Sequence, residues 1–96
     1  MTLFPGITTR VIATPRLSVS ILERDGDDTG APDEHVVVFV HGNVSSSLFW
    51  QQAMLDLPPE ARAIAIDLRG FGATQTLPVD ATRGLRDFSD DVRSTL

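Results

Sequence analysis

The chain has 96 residues, of which 42% are hydrophobic and 22% are charged, a composition typical of a folded globular domain rather than of a disordered one. Its formal net charge is −5 and its basic residues are scattered singly. We therefore expect no nucleic-acid partner, because such a surface would be repelled by a phosphate backbone. The absence of cysteine excludes disulfide bonds, thiolate metal sites and a cysteine nucleophile.

Targeting and membrane segments are not indicated either. Residues 1–6 lack the basic start and apolar run of a signal peptide. The longest apolar run, 36–40, is far too short to span a bilayer. We therefore expect a cytoplasmic protein without a membrane partner. The sequence indicates no cofactor and leaves the oligomeric state open.

Two short runs rich in β-branched residues, 8–13 and 17–23, begin the regular structure. Their composition and partial alternation predict two strands. Pro15 lies between them, where it can set a turn but could not sit inside a central strand. We predict an antiparallel hairpin at one edge of a sheet.

The next segment, 25–34, holds five acidic residues, two glycines and a proline, which predicts a surface loop. Its first residues resemble a calcium-binding loop. The twelfth position of that loop is Val36, however, where a bidentate glutamate would be required. We therefore expect no metal site here.

The run 36–40 is apolar without alternation, as in a strand buried on both faces of a parallel sheet. Ser45, Ser46 and Ser47 then offer caps for a helix that Pro58 ends. The core face of this helix is predicted to carry Phe49, Trp50, Ala53, Met54 and Leu57, and its outer face Gln51, Gln52 and Asp56.

A second apolar run, 63–66, completes a strand, helix, strand pattern, which predicts a right-handed crossover between parallel strands. The segment 73–84 is loop-like. A last helix is predicted from an apolar stripe, capped by Asp87 or Ser89 and with Asp90 and Asp91 favouring its positive end. The stripe consists of Leu85, Phe88, Val92 and Leu96.

Polar motifs follow both parallel strands, at 41–44 and 67–72. Ligands of open α/β sheets bind beyond the carboxyl ends of the strands. A sharp turn between a buried strand and a helix start also leaves backbone N–H groups that can stabilise a developing oxyanion. These two motifs are therefore the candidate site.

Together these features resemble the α/β-hydrolase superfamily. Residues 36–43 with 45–50 look like its strand, oxyanion turn and first helix, and 67–72 looks like its second characteristic block. The run 41–50 is similar to haloalkane dehalogenases, in which the asparagine side chain helps hold the halide. A proline usually follows that asparagine there, whereas Val44 stands here. The block 67–72 is more similar to esterases and epoxide hydrolases.

The resemblance implies an α/β fold, with 1–96 forming the N-terminal portion of one α/β-hydrolase domain and an incomplete sheet. It also implies a nucleophile elbow, an acid and a histidine base, none of which is found in 1–96. We expect the nucleophile in the strand that would follow Leu96, so these residues alone are predicted to be inactive and unstable.

As a complete protein, the resemblance implies a hydrolase acting on a carboxylic ester or a similar small organic substrate. Epoxide hydrolysis and dehalogenation, both through an aspartate nucleophile, are the alternatives within the same fold. A non-catalytic remnant or binding module, or more weakly a nucleotide-binding unit, are alternatives of other classes.

The expected site residues fall into three groups. Asn43 is the expected oxyanion donor, with the backbone of Val44 as an alternative donor. Gly42 and Trp50 are expected next to the substrate, Trp50 being otherwise a core residue. The turn is expected to be supported by His41, and by Asp67 and Arg69 as an ion pair.

Overall fold

Four strands and two helices make up most of the regular structure in the computed structural model, which describes residues 3–25, 36–42 and 45–96. The strands are β1 (Thr8–Ala13), β2 (Ser18–Arg24), β3 (Val36–Val40) and β4 (Arg62–Ile66). A 3-10 turn (Ser47–Trp50) leads directly into α1 (Gln51–Leu55). A second 3-10 turn (Ala81–Arg83) precedes α2 (Arg86–Thr95). None of the described helices has the length and apolar character needed to cross a membrane.

The predicted hairpin is confirmed. β1 pairs antiparallel with β2, from Thr8 opposite Glu23 to Ala13 opposite Ser18. The turn between them closes through the Thr14 N–H, which donates to Leu17 O at 3.0 Å. Residues 26–34 of the predicted acidic loop 25–34 lie outside the described residues.

The parallel pair is confirmed as well. β3 runs parallel to β4, and the order across the sheet is β1-β2-β4-β3. The prediction that β3 is buried on both faces is wrong for the described structure, because its first four residues are half-buried and Val40 is 43% exposed. The reason is its place in the sheet. β3 is an end strand here, whereas β4 lies between two partners and is almost completely buried.

Alternation along β4 builds one core on each face of the sheet. Ala63 and Ala65 face α1, and their small side chains leave room for Met54, which is fully buried. Ile64 and Ile66 point the other way, toward α2. The second core is completed by Leu17, Val19 and Ile21, against which Val92 packs.

The start of the first helix differs from the prediction. A cap at 45–47 is confirmed, since Ser46 Oγ accepts from the Leu48 N–H at 3.3 Å. Phe49, predicted in the core, is 71% exposed, and Gln51, predicted on the outer face, is buried with its Oε1 accepting from the Phe4 N–H at 2.7 Å. The segment begins as a 3-10 turn with three residues per turn, which shifts the phase of every side chain in it.

The predicted second helix is confirmed, but its predicted caps are wrong. The residue before α2 is Leu85, which makes no side-chain capping bond. Asp87 instead accepts from the Asp80 N–H at 2.8 Å, and Asp91 is buried in ion pairs in the middle of the helix. The acidic residues of α2 therefore bind neighbouring segments rather than the helix's own amides.

We expect the 96 residues alone to associate in solution, because the outer edge of β3 has no partner strand within the described ranges. An unpaired, apolar strand edge pairs readily with other chains. Light scattering during size-exclusion chromatography measures this directly. Val40→Lys, which places a charge on the exposed end of the edge, should reduce the association. A monomer with a cooperative thermal transition would contradict the expectation.

Candidate functional site

The parallel pairing brings the two polar motifs to one edge of the sheet. Val40 at the end of β3 lies opposite Ile66 at the end of β4. The turns that follow, beginning at His41 and at Asp67, therefore leave the sheet side by side. The expected oxyanion donors, Asn43 and Val44, lie outside the described residues, so the site is described from the residues on either side of them.

His41 joins the two turns. Its buried ring accepts a hydrogen bond at Nε2 from the Leu68 N–H at 3.0 Å, and its Nδ1 lies 2.7 Å from Gly42 O. Because Nε2 accepts, Nδ1 carries the proton and donates, which defines the neutral form of the ring. The ring also packs edge-on against Phe71, with centroids 5.0 Å apart. Both nitrogens of His41 are therefore occupied by backbone groups of the two turns.

Asp67 joins the same two turns from the other side. It is buried, and its Oδ1 accepts from the Ser47 N–H at 2.7 Å. Its own backbone is fixed to the sheet, with its N–H donating to Ser20 O at 3.0 Å and its carbonyl accepting from Thr74 Oγ1 at 2.7 Å. The segment 41–47 is therefore anchored at both ends to the turn after β4.

Gly72 makes room for the Asp67 carboxylate. Its backbone has φ +52°, in the left-handed region. A Cβ at this position would lie 2.5 Å from Asp67 Cγ and 2.7 Å from Oδ1. A side chain is therefore excluded both by the backbone conformation and by the space the carboxylate occupies.

The predicted ion pair between Asp67 and Arg69 is wrong, because Arg69 binds a different carboxylate. Its guanidinium makes a bidentate contact with Asp91 on α2, with Nε 2.8 Å from Oδ2 and Nη2 2.9 Å from Oδ1. Its Nη1 donates to Pro78 O at 2.6 Å. The hydrogen bond with Asp91 is the main reason that the pKa of Arg69 is raised above its ordinary value. Arg16 shares the same carboxylate, with Nε 2.8 Å from Asp91 Oδ1.

An apolar cavity of about 630 Å³ lies between the two turns and α2. Among the described residues that line it, only His41 and Ser89 have polar side chains, so it suits an uncharged, largely apolar group. Gly42, expected next to the substrate, is part of its wall. The lining consists of Val40, His41, Gly42, Leu68, Phe71, Leu85, Phe88, Ser89 and Val92.

Trp50 is not brought to this cavity. Its ring packs against Phe39 at a centroid distance of 5.1 Å and joins the core between the sheet and α1, on the opposite face of the sheet from Val92. The alternative role as a core residue is the one that this position supports.

Leu68 and Phe71 belong to the predicted candidate motif 67–72, but no individual role was predicted for them, and they line the cavity. Both lie in the predicted turn after β4, and their apolar character was the available signal. The stripe of Leu85, Phe88 and Val92 was predicted as the packing face of a helix. In the structure the same stripe forms one wall of the cavity.

Two carboxylates in ionic clusters have lowered pKa values. The Asp80 N–H and nearby arginines hold the pKa of Asp87 below its ordinary 3.8, against the opposing effect of burial. Burial raises the pKa of Glu23, but hydrogen bonds from Arg62 and Arg10 outweigh it and hold the value below 4.5. Both groups therefore favour the charged form in the folded state.

We expect stability to fall in acid because of these two groups. A carboxylate with a lower pKa in the folded state than in the unfolded state stabilises fully above the unfolded value, and its contribution is lost as the pH falls through the folded value. The melting temperature of the complete protein should change little from pH 7 to 5 and should decrease once the pH is lower than about 4.5. In Glu23→Gln with Asp87→Asn, that fall should be shallower. An equally steep fall in the double variant would contradict the assignment.

Known proteins resemble this chain in both sequence and structure. Residues 37–96 match the model of the alpha/beta hydrolase family. A haloalkane dehalogenase from Bradyrhizobium diazoefficiens is 49% identical over 45 residues, which cover 47% of this chain and 14% of that protein. A coelenterazine h 2-monooxygenase from Renilla reniformis is 44% identical over 39 residues, or 41% of this chain and 12% of that protein.

Solved structures with the same fold cover nearly the whole chain. A loop variant of a haloalkane dehalogenase from Bradyrhizobium elkanii has a TM-score of 0.76 at 28% identity, over 94% of this chain and 28% of its own. An epoxide hydrolase from Vigna radiata has a TM-score of 0.77 over 98% of this chain and 29% of its own, and at 23% identity this likeness concerns the fold alone. The chain thus spans less than a third of the length of these proteins.

Proposed function

We propose that this chain, which belongs to the alpha/beta hydrolase family, is part of a hydrolase that acts on a carboxylic ester of a small or medium-sized, largely apolar organic molecule. The observation that supports this most directly is the cavity. It is almost entirely apolar and borders Gly42, the residue next to the expected oxyanion donors. An apolar acyl or alcohol group in the cavity would bring the ester carbonyl close to Gly42, which directly precedes those donors in the sequence.

The proposed reaction divides the work between two parts of the protein. A nucleophile in the strand that would follow Leu96 attacks the ester carbonyl and forms a tetrahedral intermediate. Asn43 or the backbone N–H of Val44 donates to its oxyanion. In comparable sites, removal of one such donor lowers kcat by about 10²–10³-fold. His41 takes no part in proton transfer, because both of its nitrogens bind backbone groups.

Epoxide hydrolysis or dehalogenation is the second candidate. It is favoured by the sequence likeness to the Bradyrhizobium diazoefficiens haloalkane dehalogenase, which includes nearly half of this chain. In that case the nucleophile is an aspartate, and the side-chain amide of Asn43 faces the departing halide or the epoxide oxygen. The same cavity would hold the alkyl group, since none of its described lining residues is charged.

The complete protein distinguishes these proposals. It should release p-nitrophenol from short-chain p-nitrophenyl esters and gain the mass of a fluorophosphonate probe on one serine. Diol from a 1,2-epoxyalkane or halide from a bromoalkane, without labelling by the probe, would favour the second candidate. No turnover of any of the three substrates would leave a non-catalytic or binding role.

Asn43→Ala tests the donor side chain in the same assays. We expect kcat to fall if the amide side chain contributes. Gln52→Ala, which removes an exposed amide on α1, is the matched control. Full activity in Asn43→Ala would exclude the side-chain role and leave the backbone N–H as the donor.

A further inference from the structure

The Asp67 carboxylate is an unusual group to bury at this edge of the sheet. It forms no ion pair with any cation in the described part of the chain, since the neighbouring Arg69 binds Asp91 and Pro78 O instead. Within the described residues, the Asp67 side chain accepts a hydrogen bond from the Ser47 N–H. Burying a charge is unfavourable unless it is paired or hydrogen-bonded, so the contact with Ser47 is where its role is to be sought.

The contact is suited to fixing a backbone position. A charge-assisted hydrogen bond is shorter and about twice as strong as a neutral one. The observed 2.7 Å between Asp67 Oδ1 and Ser47 N lies in that range. Ser47 is also the first residue of the 3-10 turn that leads into α1, where amides lack partners within the helix and favour a negative charge.

The carboxylate itself is held in place from several directions. Its backbone is bound to β2 through Ser20 O, and Thr74 Oγ1 donates to its carbonyl while accepting from the Ser20 N–H at 2.8 Å. Gly72 lies directly against the carboxyl carbon. Asp67 thus fixes Ser47 relative to the central strands. His41 fixes the other end of the turn in the same way, through the Leu68 N–H.

We infer that Asp67 is a positioning residue, which holds the turn 41–47 so that the oxyanion donors within it are correctly placed. The inference rests on the proposed function, because the position of this turn affects catalysis only if the turn carries the donors. Asp67 does not contact the substrate. Its loss should lower kcat and leave KM nearly unchanged, because the cavity that binds the apolar group does not include it.

The test compares Asp67→Ala with Asp67→Asn in the complete protein. Asparagine keeps an oxygen acceptor in nearly the same place, so it should retain most of the activity. Alanine should lower kcat by about 10- to 100-fold, as a small displacement of an oxyanion donor does. Glu23→Gln is the matched control, since it alters another buried carboxylate that neither lines the cavity nor contacts the turn.

Hydrogen exchange at the Ser47 amide gives a second readout that does not depend on activity. Protection should be lost in Asp67→Ala and kept in Asp67→Asn and in Glu23→Gln. Unchanged protection and kcat in Asp67→Ala would overturn the inference, and so would a folded Asp67→Asn that loses kcat while Ser47 stays protected. If the wild-type protein hydrolyses none of the substrates, the proposed function fails, and the exchange data still decide whether Asp67 holds the turn.

Discussion

Replacing Arg69 with alanine is expected to lower the free energy of unfolding by about 3–5 kcal/mol, the range observed when one partner of a buried ion pair is removed. Arg69 and Asp91 are both buried, and their contact is bidentate. The change would leave Asp91 with Arg16 alone and would leave Pro78 O without its donor at 2.6 Å. Urea unfolding of the complete protein measures the loss.

Arg83→Ala is the matched control for this prediction. Arg83 also pairs with acidic residues of α2, with Nη1 2.8 Å from Asp87 and Nη2 2.9 Å from Asp90, but its side chain is 42% exposed, compared with 7% for Arg69. Exposed pairs contribute about 0–1 kcal/mol, so its loss should be small. A double-mutant cycle between Arg69 and Asp91 separates their coupling from other effects. If Arg69→Ala costs no more than Arg83→Ala, the buried pair does not anchor α2.

The Arg69 pair matters for the site because it joins the turn after β4 to α2, the two segments that supply most of the cavity lining. Leu68 and Phe71, on either side of Arg69 in the β4 turn, line one wall. Phe88 and Val92, on either side of Asp91 in α2, line the other. Weakening the pair should therefore change how well an apolar group is bound, and we expect KM for the ester to rise more than kcat falls.

Most of the fold could be predicted because its signals are local. The hairpin follows from two β-branched runs around Pro15, and the parallel pair follows from two apolar runs separated by a capped helix. The phase of that helix could not be predicted in the same way. The 3-10 turn at Ser47–Trp50 moves Phe49 to the surface and Gln51 into the core, and nothing in the apolar spacing distinguishes a 3-10 turn from an α-helical one.

The candidate site shows the same division. That the two turns leave the same edge of the sheet follows from strand direction alone, so it could be predicted that His41 and Asp67 lie in adjacent turns. The partner of Arg69 could not be predicted, because the sequence offers two acidic residues, Asp67 and Asp91, that could pair with it. Asp67 is close in sequence, whereas Asp91 is brought close by the packing of α2 against the sheet. The choice between them depends on tertiary structure, which spacing along the chain does not report.

Gly72→Ala is expected to be the other strongly destabilising change. A left-handed backbone costs a residue with a side chain about 1 kcal/mol or more, and forcing an extra methyl group into a packed site adds about 1–3 kcal/mol. The methyl group would fall 2.5 Å from Asp67 Cγ, so the carboxylate must move away from the Ser47 N–H. Stability and, if Asp67 positions the turn, kcat should fall together.

Gly70→Ala separates the two causes. Gly70 has φ +79° and so carries a similar backbone cost, but among the described residues a Cβ there would meet only Thr76 Cγ2, at 4.0 Å. The excess loss in Gly72→Ala over Gly70→Ala therefore measures the overlap with the carboxylate. That excess should largely vanish when both glycine variants are remade in the Asp67→Ala background, because the overlapping group is then gone. An excess that persists there would show that Gly72 is required by some other neighbour, and the link between Gly72, Asp67 and the turn would have to be abandoned.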